Sequence, residues 1–116
     1  IGEGIALKLA EQGAHIAFTY VSESSAERAR ALEEKLKAFG INAKSYRSNA
    51  ADFAQAESFV ADVVKEFGTV DICVNNAGIS KDNLLLRMTP ESWDEVMQTN
   101  LKSVFNLTKG VIKPMM

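Results

Sequence analysis

The chain has 116 residues, a length that suits one domain rather than two. Hydrophobic residues make up 47% and charged residues 24% of it, proportions that fit a globular domain and exclude a disordered chain. A net charge of −2 gives no electrostatic reason to expect nucleic acid or a membrane surface as a partner. Cys73 is the single cysteine, which excludes a disulfide framework or a cysteine metal cluster and fits a reducing cytosol.

Hydrophobic periodicity predicts an alternation of helices and strands along the whole chain. Apolar residues recur at helical spacing in four segments, and short β-rich runs bounded by glycine or polar turns separate them. In chain order, the sequence predicts a helix over 2–12, a strand over 14–20, a helix over 24–39, a strand over 43–48, a helix over 53–67, a strand over 70–74 and a helix over 90–112.

Three of the predicted helices begin at recognisable capping signals. A hydroxyl or carboxylate oxygen before a helix can accept a first-turn amide hydrogen, and a polar side chain three residues later often completes a capping box. Proline is also favoured at the first helical position. The signals are Ser24 with Glu27, Asp52 with Gln55, and Thr89 with Pro90.

This alternation predicts parallel strands joined by right-handed crossovers, with helices on both faces of the sheet. The fold class is therefore α/β, with a partial doubly wound parallel sheet of Rossmann type. Helical periodicity begins directly at Gly2, and the sequence stops at Met116 in or just past a helix. We therefore expect residues 1–116 to be an internal segment of a longer protein and a single incomplete nucleotide-binding domain, without its first strand and its carboxyl-terminal half.

Polar turns follow each of the three predicted strands, at 20–22, 49–51 and 75–78. In a parallel sheet these turns share one edge, which is the edge where open α/β sheets bind dinucleotides. Gly2 fits the last glycine of a phosphate-binding turn, because the helix behind it could hold a pyrophosphate at its amino end. The sequence thus predicts a dinucleotide site along this edge, although each turn alone also fits an ordinary strand end.

The end of the strand over 14–20 bears on which dinucleotide is bound. An acidic residue about 20 residues past the glycine turn commonly binds the ribose hydroxyls of NAD. Here that place holds Tyr20, followed by Val21 and Ser22, and all three are neutral. A carboxylate there would repel a 2′-phosphate, and these three positions hold none. We therefore predict NADP(H) rather than NAD(H).

Two motifs and one isolated amide carry a resemblance to a known family. Ile1-Gly2, the turn 75–78 (Asn-Asn-Ala-Gly) and Asn100 in a Thr-Asn-Leu context resemble the short-chain dehydrogenase/reductase family. The runs 78–88 and 100–105 narrow the resemblance to bacterial-type 3-oxoacyl-[acyl-carrier-protein] reductases of fatty-acid synthesis. From the residues alone, Asn100 on the apolar face of the last helix is either a structural bridge or part of a site.

The resemblance implies a role for each matching position. Asn100 matches the catalytic asparagine, whose backbone carbonyl holds a water in the family's proton relay. The family more often has Asp at position 49, and Asn there keeps an acceptor for adenine. The implied cofactor contacts are Ile1 and Gly2 at the pyrophosphate, Tyr20, Val21 and Ser22 around the adenosine ribose and its phosphate, Asn49 and Ala50 at the adenine, and Asn76, Ala77 and Gly78 along the cofactor.

The resemblance also implies an activity, which is NADPH-dependent reduction of a 3-oxoacyl thioester on acyl carrier protein to the 3-hydroxyacyl form. The catalytic Ser, Tyr and Lys are expected beyond residue 116, because neither Tyr20 nor Tyr46 is followed four residues later by Lys. We therefore expect the 116-residue chain alone to be inactive. A cytoplasmic homo-oligomer, a tetramer by family resemblance, is implied as well, with no metal, nucleic-acid or membrane partner.

Other functions remain open at this stage. A sugar or steroid dehydrogenase of the same family, or a nucleotide-binding module without catalysis, would use the same sheet edge. Lys81 and Arg87 are either contacts for an acidic carrier protein or ordinary loop charges. Finally, the family's strand order predicts that the strands over 14–20 and 70–74 do not pair, with a gap about one strand wide between them.

Overall fold

A computed structural model describes residues 1–78 and 84–116, so Lys81 and most of the loop that narrowed the resemblance lie outside the described residues. The described chain forms two compact units, Ile1–Asn49 and Ala50–Met116. Within this described part, no helix is both long and apolar enough to cross a lipid bilayer.

The first unit alternates two helices and two strands. Its elements in chain order are α1 (Gly2–Glu11), β1 (Ile16–Tyr20), α2 (Ala26–Lys37) and β2 (Ala43–Arg47). The strands are parallel, and the register pairs Ile16 with Ala43 at one end and Tyr20 with Arg47 at the other. The predictions of two helices and two parallel strands in this half are confirmed, with each strand shorter than predicted.

A small apolar core holds the first unit together. Leu36 of α2 is completely buried, and burial of such a side chain stabilises a fold by about 1.5–3 kcal/mol. Ala6 and Ala10 of α1 belong to the same core as Leu36, and their small side chains let α1 pack close to it. The buried core residues are Ala6, Ala10, Ile16, Leu36, Ile41 and Ala43.

The start of α2 differs from the prediction. A short 3₁₀ turn, Glu23–Ser25, precedes α2. The N-cap of α2 is Ser25, whose side chain makes no capping hydrogen bond. The Oγ of Ser24 lies 2.9 Å from the Oγ of Ser22. The capping box of Ser24 with Glu27 was therefore a wrong prediction, because this hydroxyl bonds within the loop and the helix begins two residues later.

The regular elements in the described part of the second unit are all helical. Its elements are α3 (Phe53–Phe67), a 3₁₀ turn (Leu85–Arg87), α4 (Pro90–Val96), a π-helical turn (Met97–Lys102) and α5 (Ser103–Met115). Two capping predictions are confirmed here, since the side chain of Asp52 accepts the amide hydrogen of Gln55 and that of Thr89 accepts the amide hydrogen of Ser92. The helix predicted over 90–112 is present, but a π turn divides it.

Helices α3 and α5 pack closely against each other. Ala56 and Val60 of α3 are buried, as are Asn106 and Val111 of α5. Gly110 faces α3, and a methyl group on its Cα would come within 3.1 Å of Cγ2 of Val60. The absence of a side chain at Gly110 therefore sets the spacing of the two helices.

The strand predicted over 70–74 is not formed. Residues 69–78 have no regular secondary structure, and the sheet of the described residues contains only β1 and β2. A strand exists only where a neighbouring strand exchanges backbone hydrogen bonds with it, and no described segment does so here. The apolar run has the composition of a strand, but composition does not supply the pairing partner on which strand formation depends. The gap expected between this stretch and β1 stays a prediction.

Candidate functional site

The carboxyl end of β1 and the amino end of α1 lie at the same end of the first unit, because the turn at Gly13 reverses the chain between them. Tyr20 is the last residue of β1. Gly2 is the first residue of α1, and the exposed N-cap Ile1 offers no side-chain acceptor to the first-turn amides. The first unit thus brings these predicted cofactor residues to one end, with amide donors available to an anion.

The carboxyl end of β2 lies beside that of β1. The amide of Ser48 donates to the carbonyl of Tyr20 at 2.9 Å, which extends the ladder one step past the strands. Asn49 follows directly and is half-buried, whereas Val21 is exposed. The predicted ribose and adenine residues of this unit therefore share one edge, as a parallel sheet requires.

Two charged residues at this edge were missed by the sequence reasoning. Arg47 donates from Nε to the carbonyl of Val21 at 3.1 Å and from Nη1 to Oε2 of Glu23 at 2.9 Å. Both side chains are more than half exposed. The neutral residues 20–22 are therefore followed by the carboxylate of Glu23, and the guanidinium of Arg47 bonds to both Val21 and Glu23. The signal that could have found Arg47 is the strand register, which places it opposite Tyr20.

In the second unit, two amide side chains hold the turn before α3. Nδ2 of Asn106 donates to the carbonyl of Ala50 at 2.9 Å, and Nε2 of Gln98 donates to the carbonyl of Ala51 at 2.9 Å. Ala50 and Ala51 are both buried, so their carbonyls need donors from within the protein. The backbone of Ala50, a predicted adenine contact, is thereby fixed from the last helix.

Asn106 itself is 1% exposed, and its Oδ1 has no hydrogen-bond partner among the described residues. An unpaired buried oxygen is costly. The side chain of Asn106 therefore contributes to the structure through its N–H group, which donates to Ala50. Sequence reasoning missed this residue because it followed the apolar residues of the helix, and Asn106 is polar.

The turn after residue 74 meets the π turn within the second unit. Asn76, Ala77 and Gly78 are exposed, with little side-chain bulk over the last two. A methyl group on Cα of Gly78 would lie 3.2 Å from Oδ1 of Asn100, so the two residues are in close contact. The structure thus brings together the predicted catalytic residue and one of the predicted cofactor residues. How Asn76 lies relative to Tyr20 and Asn49 stays a prediction.

Asn100 is half-buried within the π turn Met97–Lys102. A π turn bonds each amide to the carbonyl five residues earlier rather than four, so it disturbs the bonding register of the flanking α-helices. Turns of this kind occur frequently at functional sites because the altered register can present a backbone carbonyl to an outside donor. The periodicity that predicted one regular helix over 90–112 contained no sign of this change.

The remaining titratable feature is Cys73. Partial burial raises the pKa of the Cys73 thiol above the usual value by desolvating the thiolate. A raised pKa makes a thiol a weaker nucleophile at neutral pH, which fits a packing role rather than a catalytic one. Across residues 1–78 and 84–116, no three His, Cys, Asp or Glu side chains gather into a metal-binding group.

Comparison with known proteins identifies the class. A family model described as enoyl-(acyl carrier protein) reductase matches residues 1–116. Solved short-chain dehydrogenases superimpose on nearly the whole chain, so the two-stranded parallel sheet with its helices is part of a Rossmann fold. The chain belongs to the short-chain dehydrogenase/reductase family.

Within the family, two relatives of this chain carry the same name. The 3-oxoacyl-[acyl-carrier-protein] reductase of Escherichia coli is 46% identical over 116 residues, which cover 100% of this chain and 45% of that protein. The reductase of the same name from Staphylococcus epidermidis is 44% identical over 116 residues, covering 100% of this chain and 47% of that protein. The chain spans about half the length of the curated relatives it matches.

Three solved structures extend the comparison. A short-chain dehydrogenase/reductase from Serratia marcescens has a TM-score of 0.93 at 32% identity, covering 98% of this chain and 46% of that one. A blue fluorescent protein from a metagenomic library, in complex with NADPH, has a TM-score of 0.89 at 36% identity over 97% of this chain and 47% of that one. An NADH-dependent reductase of alginate metabolism has a TM-score of 0.87 at 26% identity, covering 97% of this chain and 46% of that one.

Proposed function

We propose that the whole protein reduces 3-oxoacyl-[acyl-carrier-protein] to the 3-hydroxyacyl form, with NADPH as the reductant. The observation that carries the proposal is the 46% identity to the E. coli reductase of that name over all 116 residues. The family itself is an oxidoreductase family whose folds accept nicotinamide dinucleotides. A bound nicotinamide would supply the hydride that reduces the 3-oxo carbon.

Each unit contains a feature that suits such a cofactor. The uncapped amino end of α1 offers backbone donors for a pyrophosphate. The exposed turn from Asn76 to Gly78 has little bulk, so a flat ring could lie against its backbone. We assign Ile1 and Gly2 to the pyrophosphate, and the turn to the nicotinamide half of the cofactor.

The adenosine half belongs to the other predicted residues. We assign Tyr20, Val21 and Ser22 to the ribose and its phosphate, and Asn49 and Ala50 to the adenine. The hydrogen bond from Asn106 to Ala50 supports this assignment, because a fixed backbone presents its donors and acceptors to a ligand without a further ordering cost. The neutral residues 20–22 support NADP(H), and an NADPH-bound structural relative is consistent with it.

Asn100 completes the chemistry that this chain contributes. We assign its backbone carbonyl to a water in the path that delivers a proton to the substrate oxygen, a role that the π turn around it supports. The proton donor itself is expected outside residues 1–116. The chain alone should accordingly show no NADPH oxidation with any substrate.

A second candidate is reduction of an enoyl thioester, because the matching family model bears that description. The two reactions differ in the bond reduced, a carbon–oxygen double bond in one and a carbon–carbon double bond in the other. A steady-state assay of the whole protein with NADPH distinguishes them. We expect turnover of an acetoacetyl thioester and none of a crotonoyl thioester, and the reverse result would establish the second candidate.

The same assay tests the remaining alternatives. Turnover of sugar or steroid ketones in preference to the acetoacetyl thioester would move the protein to another branch of the family. Tight NADPH binding without turnover of any of these substrates would indicate a binding module. Equal or better affinity for NADH would contradict the proposed cofactor, and the NADH-dependent relative makes this arm necessary.

We further propose that the protein acts in the cytoplasm as a homo-oligomer, with acyl carrier protein as the carrier of its substrate. The π turn and α5, which together form the last helical segment, present a solvent-exposed apolar face in the described part of the chain. Leu101, Phe105 and Ile112 are each more than half exposed on it. A second copy of the protein covering this face would remove that apolar area from water.

A further inference from the structure

We infer that Arg47 is a specificity-determining residue, and that its guanidinium binds the 2′-phosphate of NADP(H). The inference rests on the proposed function, because it requires the adenosine ribose to lie at residues 20–22. It adds a residue that the neutral run 20–22 alone does not provide, namely a positive charge at the site of a phosphate.

The register of the sheet brings Arg47 to that site. Arg47 pairs with Tyr20 at the carboxyl ends of the two parallel strands. Its side chain then reaches along the loop after β1, with Nε bonded to the carbonyl of Val21 at 3.1 Å and Nη1 bonded to Glu23 at 2.9 Å. The guanidinium therefore spans the segment assigned to the ribose and its phosphate.

Because Glu23 lies beside the ribose loop, binding of a 2′-phosphate there requires the positive charge of Arg47. A carboxylate one residue past the ribose loop would repel a 2′-phosphate and would favour free ribose hydroxyls. The ion pair with Arg47 offsets that repulsion. Without Arg47, the loop would carry a net negative charge and would suit NAD(H) better than NADP(H).

Arg47 also has donors left for a ligand. A guanidinium carries five N–H groups, and the bonds to Val21 and Glu23 use two of them. Its planar fork matches phosphate oxygens in a bidentate geometry that an ammonium group cannot provide. The side chain is 56% exposed, so a phosphate could reach it from solvent.

The test compares binding of 2′,5′-ADP with binding of 5′-ADP to the whole protein by isothermal titration calorimetry. These probes differ in the 2′-phosphate and report binding independently of turnover. Arg47→Met should weaken 2′,5′-ADP about tenfold, the effect of one charge-assisted hydrogen bond, and should leave 5′-ADP unchanged. Arg47→Lys should recover only part of the loss. In steady state, the KM for NADPH should rise while kcat at saturating NADPH stays within twofold.

Lys44→Met is the matched control. Lys44 lies on the same strand and is also an exposed cation, but its Nζ lies 5.3 Å from the ring centroid of Tyr46. Lys44→Met should change neither the affinity for 2′,5′-ADP nor the affinity for 5′-ADP. An equal loss of 2′,5′-ADP binding in this variant would indicate a general charge effect and would overturn the inference.

Glu23 separates direct binding from simple neutralisation. Glu23→Gln releases Arg47 from its ion pair and should strengthen 2′,5′-ADP binding. In the double variant Glu23→Gln/Arg47→Met, no carboxylate remains to be neutralised. Relief of the repulsion by Glu23 should return only part of the affinity for 2′,5′-ADP to the double variant if Arg47 contacts the phosphate directly. A double variant that binds 2′,5′-ADP as tightly as the wild-type protein would show that Arg47 only neutralises Glu23, and would overturn the inference.

The outcomes also separate this inference from the proposed function. If the wild-type protein binds neither probe nor NADPH, the proposed function fails and the inference fails with it. If it binds 5′-ADP as tightly as 2′,5′-ADP, the preference for NADP(H) and the inference both fail. If it prefers 2′,5′-ADP and Arg47→Met keeps that preference, the inference alone is wrong.

Discussion

Gly78 lies against the side chain of Asn100, at a distance where a methyl group on Cα of Gly78 would come within 3.2 Å of Oδ1. The contact links the turn assigned to the cofactor with the π turn assigned to proton delivery. Both ends of the contact lie in the second unit, and a carbon added at Gly78 would require a shift of a few tenths of an ångström.

We therefore predict that Gly78→Ala lowers kcat of the whole protein about tenfold, because small displacements of a catalytic group cost a large share of the rate. Steady-state kinetics with NADPH and an acetoacetyl thioester measure the effect. The double variant Gly78→Ala/Asn100→Ser shortens the opposing side chain and should recover part of the rate. A Gly78→Ala enzyme with wild-type kcat would show that this contact does not position Asn100.

Gly110 makes the second close approach, and its effect should appear in stability rather than in catalysis. Gly110→Leu forces a side chain against Val60 of α3, where even a single added Cβ would lie 3.1 Å from Cγ2 of Val60. Overpacking of this kind costs about 1–3 kcal/mol. Urea denaturation of the chain should show that loss in the free energy of unfolding.

Gly4→Ala is the control for this variant. Gly4 lies in α1, and a Cβ there meets nothing within 4 Å. The substitution should stabilise the chain by about 0.5–1 kcal/mol, since alanine loses less conformational freedom in a helix than glycine. Equal effects of the two substitutions would contradict the close packing of α3 on α5.

These local contacts also show where the sequence was informative. The caps at Asp52 and Thr89 were predictable because an N-cap bond depends on residues three positions apart. The cap at Ser24 failed because a neighbouring hydroxyl, that of Ser22, competes for the same side chain.

Features that depend on distant residues could not be predicted. The run 70–74 has the composition of a strand, but strand formation requires a partner that periodicity does not reveal. Arg47 at the ribose loop depends on the register of two strands, and Asn106 at Ala50 depends on how two helices rotate against each other. The family motifs supplied the predicted site residues, whereas Arg47, Glu23 and Asn106 became visible only in the structure.

Asn106 leads to a prediction about pH. In Asn106→Asp the donor to the carbonyl of Ala50 is lost, and a carboxylate replaces it at a position that is 1% exposed. Burial beside a carbonyl raises the pKa of that carboxyl in the folded state above its unfolded value. The folded variant then binds more protons than the unfolded one at mildly acidic pH, so its stability should rise as pH falls.

Urea denaturation at neutral and mildly acidic pH measures this difference. At neutral pH, Asn106→Asp should lose about 3 kcal/mol or more, because an unpaired buried charge is costly. At acidic pH the protonated carboxyl can donate to Ala50, and part of the loss should disappear. Gln12→Glu, an exposed control, should change stability by less than about 0.5 kcal/mol. A loss that does not depend on pH would contradict the buried donor role of Asn106.

Cys73 provides a second titration. Desolvation raises the pKa of its thiol in the folded chain above 9.0, the ordinary value. The folded state therefore holds the proton more tightly than the unfolded state, and stability should fall as pH rises from about 9 through the folded pKa. Alkylation by iodoacetamide should be slower than in the urea-unfolded chain at the same pH, since the thiolate is the nucleophile.

Cys73→Ala is the control for both measurements. It should abolish alkylation and flatten the alkaline decline in the free energy of unfolding. A folded chain that reacts as fast as the unfolded one across the pH range would show that the thiol is not desolvated.

The exposed apolar face of the last helical segment predicts an effect on assembly. Leu101, Phe105 and Ile112 line this face, and Phe105 is 57% exposed near its middle. Phe105→Glu would place a charge where a second copy should bury apolar surface, at a cost of several kcal/mol to association. Size-exclusion chromatography with light scattering should show the whole protein shift from an oligomer to a smaller species.

Lys113→Glu is the matched control, because it changes charge on the same helix at an exposed position outside the apolar face. It should leave the oligomer intact. If Phe105→Glu leaves the molecular mass unchanged, a second copy does not cover this face. If the variant keeps its mass but loses thermal stability, the face packs against another part of the same protein, and the oligomer must form elsewhere.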